Sequence, residues 1–467
     1  MRSDPTKVTT PTTTGPAPGM RTMGSWALTA VGLNMVVGAG FFLLPAEFFR
    51  VAGAWGPLVI AIVGLFMIPI ALSFAEVGSR FDAHGGPYLY LRAAFGRLAG
   101  FEIAWILWVS RVVSHASVLA GLLILLEVVF NRPLTNMAQA VVILGLTSLV
   151  SAFSIAGREA NARLIMILAA LKVLAVVTLI AAGLPQVEVA RFAAAHALSL
   201  KEVGAAALLA LFSIAGFENL AIPAGEATKP QRDVPRALFM TLGAGLVLLI
   251  AANLIAIGLV VDLGNSKLAL ADAGRAALGQ PGWVMLAGAA VLAVVGHNAG
   301  SILACSRLLQ GLVDKRDIPP WLGKRTARLG RPVTAVLINA TVICALALSS
   351  SFVWLIGLAI GSRVLVYAGV AIATSRLRSS AFGNSVPAAR FRTPAPRSVL
   401  LLSLLGSLFI LSFVTAAQMW ALAIGLLTGL VLFALNRVLV SNDRSHGDSD
   451  AARVPGRPGE GQMEESS

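Results

Sequence analysis

An all-α membrane protein of twelve transmembrane helices is the fold class this sequence predicts, and three observations predict it. Of its 467 residues, 57% are hydrophobic and only 12% charged, with a mean hydropathy of +0.83, whereas soluble domains carry about 25% charged residues. The apolar residues gather in stretches of about 18 or more, the length that crosses a bilayer as helix. The Lys and Arg that give a net charge of +14 lie mainly between those stretches. No basic patch with interleaved aromatics occurs, so the charge reads as membrane topology and not as nucleic-acid binding.

Taken in order, residues 1–23 are expected to form a disordered tail. The stretch is rich in Thr and Pro and has no apolar core of the kind a cleaved signal peptide needs. The spans follow at 26–49, 56–78, 101–130, 135–156, 161–183, 204–225, 237–261, 282–311, 333–350, 352–375, 398–415 and 418–438. Residues 441–467 are polar and expected to be a second disordered tail. The membrane-embedded twelve-helix body is therefore 24–440. Alternating the loops places 26 of the 36 Lys and Arg on the side of both termini. The opposite side holds only Arg50, Arg132, Arg191, Lys201, Lys267 and Arg275, while Arg111, Lys172, Arg307 and Arg363 fall inside spans. The positive-inside rule makes both termini cytoplasmic. A miscounted span would scramble this asymmetry; the turn at 350–352 is the weakest boundary.

Two spans are interrupted by glycine: Leu33 to Pro45 (LNMVVGAGFFLLP) and Leu211 to Pro223 (LFSIAGFENLAIP). Glycine in mid-helix costs about 1 kcal/mol against Ala, and freed backbone groups at membrane depth persist only where they line protein or a cavity. The breaks fall in spans one and six, which enter from opposite sides. This is the pattern of a five-plus-five inverted repeat, about 24–183 and 204–375, with the last two helices, about 398–438, outside it. Paired breaks of this kind point to the binding site of a secondary transporter. The alternative is that Gly38, Gly40 and Gly216 serve close helix packing.

Four stretches resemble the amino acid-polyamine-organocation superfamily: GAGFFLLP (Gly38 to Pro45), SFAEVGSRFDAHGGPYLYLRAAFG (Ser73 to Gly96), LFSIAGFENLAIPAGEATKPQRDVPRA (Leu211 to Ala237) and SILACSRLLQGLVDKRDIPPWL (Ser301 to Leu322). The third departs from the superfamily pattern at Thr228 to Pro230, where an asparagine is usual. The resemblance spans nearly all of 24–440 and implies the leucine-transporter-like fold and an amino acid permease, without naming a substrate.

It also implies roles for particular residues. The substrate carboxylate is expected on the amides of Ala39 and Gly40, and its ammonium on carbonyls of Val36, Phe212 and Ala215, with Gly38 and Gly216 allowing close backbone approach. Phe212 matches an aromatic gate position, or packs. Lys172, near mid-span where charge is costly and usually functional, matches a lysine that replaces the ion in proton-coupled relatives. A lysine shielded from water can take up and release a proton during a cycle; alternatively it is a fixed cation bridging the first span to the eighth. Arg111 and His115, one turn apart, are expected to line the substrate side chain. Otherwise Arg111 pairs internally with Glu218 or Glu76 and His115 packs. Glu218 either relays a proton or caps the second break. His297 is expected inside the bundle, Arg307 is expected to snorkel, and nothing in the sequence assigns Arg363 a role.

No catalytic or metal-ligating constellation appears and no cofactor is implied. Cys305 and Cys344 sit in apolar segments and cannot build a disulfide framework. The Gly85-Gly86-Pro87-Tyr88 loop lacks the Gly-Lys-Ser/Thr ending of a nucleotide loop. The expectation is a proton-coupled, sodium-independent permease for amino acids or related amines in the cytoplasmic membrane. Its partners are the substrate, protons and lipid, with no nucleic acid. The alternatives are an exchanger or, behind it, a nutrient sensor; the sequence leaves oligomeric state open.

Overall fold

The computed structural model describes residues 23–81, 85–156, 158–193, 197–222, 227–323, 333–349, 352–379, 382 and 386–451. The rest of both tails, Pro223 and the side chain of Arg307 lie outside this description. The described residues are helical throughout, with no strand and one isolated bridge between Met23 and Ala227. In order, the α-helices are α1 (Ser25–Val36), α2 (Ala39–Leu43), α3 (Pro45–Ala52), α4 (Gly56–Gly78), α5 (Pro87–Phe95), α6 (Arg97–Val129), α7 (Asn136–Ala156) and α8 (Arg158–Gly183). They continue as α9 (Leu200–Ile214), α10 (Pro230–Leu259), α11 (Ala269–Leu278), α12 (Gln280–Asp314), α13 (Val333–Ser349), α14 (Phe352–Arg376), α15 (Pro396–Leu411) and α16 (Ala416–Ala451).

Among the described residues, nine helical segments are long and apolar enough to cross a membrane, and Ser25–Val36, Val333–Ser349 and Pro396–Leu411 are shorter apolar helices. The first expected span is thus broken at its glycines, as its sequence predicts, and again at Pro45, giving three helices. Gly38 and Pro45 interrupt it, and Pro45 starts α3 because its missing N–H is harmless in a first turn. At its other end the chain runs on as helix to Ala451, past the expected boundary at 440. Extending an existing helix needs no new nucleus.

Local chemistry explains several starts. Pro57, Pro230 and Pro281 open α4, α10 and α12. Ser199 and Glu202 form a reciprocal capping box on α9, satisfying two otherwise orphaned amides. The Gly85-Gly86 pair has a packing role. Gly86 has φ +48°, and a Cβ there would stand 3.1 Å from the Ala221 carbonyl oxygen. The Gly85 amide donates to the Ile222 carbonyl at 3.3 Å. The loop motif therefore seats α5 against the end of the second broken span.

Two sets of helices surround the site. α1 packs on α10, α10 on α4 and α4 on α9, while α6 packs on α12 and α13, and α7 on both of these. α14 lies against both α4 and α6. α9 and α14 are mostly buried, whereas α7 and α16 turn most of their apolar length outward. Met137, Val141, Leu427, Val431 and Leu435 are among their exposed side chains, a surface suited to lipid.

Candidate functional site

The first break lies between α1 and α2. Val37 closes α1 by donating to the Leu33 carbonyl at 2.8 Å, and Gly38 is extended at φ −94°, ψ −165°. Any residue can adopt that backbone, so the glycine is demanded by proximity. A Cβ on Gly38 would lie 3.0 Å from the Met35 carbonyl oxygen and 3.2 Å from Nδ1 of His297; one on Gly40 would lie 2.8 Å from the Phe212 ring. Among the described residues, no protein acceptor is within reach of the amides of Gly38, Ala39 and Gly40. These are orphan donors of the kind that a helix start leaves.

The second break follows α9. Ala215 is extended at ψ 148° and Gly216 has φ +127°, a conformation that L side chains rarely adopt, before a 3-10 turn at Phe217–Ala221. The two breaks touch: a Cβ on Gly216 would lie 3.0 Å from Cβ of Met35. The Gly216 amide donates to Oε2 of Glu218 at 2.8 Å, so Glu218 does cap the unwound turn. The carbonyls of Val36, Phe212 and Ala215 receive no hydrogen bond from any described residue. Each break therefore exposes main-chain acceptors, and the first also exposes donors.

Between them lies a small cavity. Its lining includes Gly38, Ala39, Gly40, Phe212, Ala215 and Gly216 from the breaks, Arg111, Ser114 and Val118 from α6, His297 and Ser301 from α12, Asn219, and Arg363 from α14. Phe212 makes an edge-to-face contact with Phe352, ring centroids 6.5 Å apart. Arg111 donates to Oδ1 of Asn219, and Arg363 Nε lies 3.2 Å from Oε1 of Glu218. The partner of Glu218 is thus Arg363, not Arg111, and Glu76 is taken up elsewhere by Arg378. His115 is fully buried but is not part of the lining. The cavity face of α6 runs through Arg111, Ser114 and Val118, and four residues of helix rotate His115 past its edge.

Lys172 of α8 is fully buried below the first break. Its ammonium donates to the main-chain oxygen of Asn34 at 2.9 Å and to Oδ1 of Asn34 at 2.8 Å, while Nδ2 of Asn34 donates to the Gly296 carbonyl at 3.0 Å. The Asn34 carbonyl is the one that Gly38 would have capped in a continuous helix. The lysine thus replaces a lost main-chain donor and ties α8, α1 and α12 together. Sequence reasoning singled out neither Asn34, Asn219, Ser114 nor Ser301. For Asn34 and Asn219 the available signal was a polar residue within four positions of a glycine break, whereas nothing local marked Ser114 and Ser301.

Residues 23–427 match the profile of the amino acid permease family. The chain belongs to this family. The match places it in the superfamily that the four sequence stretches resemble and makes it a membrane transporter protein. A Mycobacterium tuberculosis protein named as an uncharacterized transporter is 28% identical over 447 residues, 93% of this chain and 95% of the relative. The "Putative arginine/ornithine antiporter" of Bacillus subtilis is 29% identical over 350 residues, 68% of this permease and 74% of the relative. An inner membrane transport protein of Escherichia coli is 24% identical over 371 residues, covering 77% and 84%.

Proposed function

We propose that this permease is a secondary transporter that carries an amino acid or related amine across the cytoplasmic membrane by alternating access. One observation carries the reading: two helix breaks, distant in sequence, meet at one cavity and present unpaired main-chain donors and acceptors to it. The amides of Ala39 and Gly40 suit a carboxylate, and the carbonyls of Val36, Phe212 and Ala215 suit an ammonium. Gly38 and Gly216 permit the approach, Phe212 closes the cavity from one side and Arg111 meets the substrate side chain. In this reading α1 to α3 form the first of twelve spans, α13 and α15 complete the set, spans one to five and six to ten are inverted repeats, and both termini are cytoplasmic. The α1, α4, α9 and α10 set rocks against α6, α7, α12 and α13.

Lys172 couples the cycle to protons, with Glu218 as a second carrier, and sodium is not required. The bridge from Lys172 to Asn34 supports this, because losing the proton from the ammonium weakens two contacts to the first break at once. Substrate exchange is the second reading, favoured by the name of the Bacillus subtilis relative. Uptake into proteoliposomes with an acidic exterior decides between them. Coupling predicts accumulation that collapses when a protonophore removes the gradient. Equal rates with and without the gradient, together with stimulation by substrate preloaded inside, would establish exchange instead.

A further inference from the structure

Two guanidinium groups, Arg111 and Arg363, line the cavity, and among the described residues no carboxylate does. Arg363 is matched by Glu218, 3.2 Å away. Arg111 is not. It is 3% exposed, donates to the neutral amide oxygen of Asn219, and its Nε has no acceptor among the described residues. Lys172 adds a further cation below the cavity, and its partners are the neutral oxygens of Asn34. Among the described residues, two buried guanidiniums line the cavity and Lys172 lies below it, with Glu218 the carboxylate beside them. A buried charge without a counter-charge is costly, and a guanidinium is shaped to hold a carboxylate through two parallel hydrogen bonds.

Building on the reading that the two breaks hold an amino acid backbone, we propose that the substrate's side chain is itself a carboxylate: the site selects an acidic amino acid, its distal carboxylate paired with Arg111 beside Ser114 and Asn219. Ornithine or arginine would bring a third positive group into a lining that already holds two. Glutamine and asparagine fit the same volume but leave Arg111 unmatched.

The test compares L-aspartate and L-glutamate with L-asparagine, L-glutamine, L-ornithine and L-arginine, by thermal shift of the purified permease and by competition for uptake into proteoliposomes. The acids are expected to bind at least about 30-fold more tightly than their amides, the low end for loss of a buried charged partner. Arg111→Lys keeps this preference, and Arg111→Gln abolishes it while still binding the amides. If Arg111→Gln does not fold, the ratio of acid to amide on the unaltered protein decides. Tighter binding of a neutral or basic amino acid overturns the acidic assignment and leaves the transport reading intact. No binding by any of the six overturns the acidic assignment, and the transport reading falls as well only if the remaining amino acids and amines also fail to bind.

Discussion

At the scale of single residues, the first break depends on what replaces its lost hydrogen bonds. Lys172 supplies the donor that Gly38 withholds from the Asn34 carbonyl, and it does so from another helix, which joins the stability of the break to the protonation of one side chain. Lys172→Arg keeps a permanent cation there, since a guanidinium holds its proton throughout the working range. The expected outcome is a protein that still binds substrate in a thermal-shift assay but no longer accumulates it in response to a pH gradient. Gradient-driven accumulation by this variant would remove the lysine from coupling. Lys172→Met should instead leave the Asn34 oxygens buried and unmatched, at a cost of about 1–3 kcal/mol, read as a lower melting temperature. The cations themselves were legible in the sequence because charge inside an apolar run stands out. Of their partners, only the bridge of Lys172 between the first and eighth spans was. Which carboxylate faces Arg363, and whether Arg111 or His115 reaches the cavity, depends on rotations of α6 and α14 that no local pattern encodes.

At the scale of helices, one end of the bundle is closed by buried ion pairs. Asp317, just past α12 and fully buried, accepts from the Tyr88 hydroxyl at 2.6 Å and from Arg92 and Arg97, joining α5, α6 and α12. Burial, reinforced by the hydrogen bond to Asp317, pushes the Tyr88 hydroxyl well above its ordinary range, so it stays a donor. Glu76 likewise draws Arg378 and the Thr393 amide, the latter at 2.8 Å, onto the end of α4. Asp317→Asn leaves two guanidiniums without their counter-charge. Because both guanidiniums reach solvent, it should destabilise the protein by only about 1–2 kcal/mol and increase labelling of a cysteine placed at Ser301 by a thiol reagent from that end. An unchanged melting temperature and labelling rate would show that the cluster does not hold the bundle shut. The second expected span, 56–78, coincides with α4 because Pro57 and the loss of apolar residues mark both ends. The break at Gly38 was legible from its glycines, whereas the second interruption at Pro45 was not, because the composition stays apolar through it and hydropathy does not register a backbone turn.

At the scale of the whole molecule, alternating loops, the charge asymmetry and the paired glycines argue for the same architecture from independent sides. In the proposed cycle the α1, α4, α9 and α10 set and the α6, α7, α12 and α13 set, which meet where α1 packs on α12, are the two bodies that move across one cavity. The two breaks touch at Met35 and Gly216 within one set of helices, and α6 and α12 supply the opposite face of the cavity, so in the proposed cycle a substrate is admitted when the two sets separate. The central claim is that main-chain groups of both breaks clasp one amino acid. Hydrogen–deuterium exchange of the peptides covering 33–44 and 211–222 tests it most directly, with and without the amino acid that most raises the melting temperature. The account predicts slower exchange in both peptides on binding, with the amides of Ala39 and Gly40 most protected. Tight binding with exchange in both peptides unchanged would contradict it.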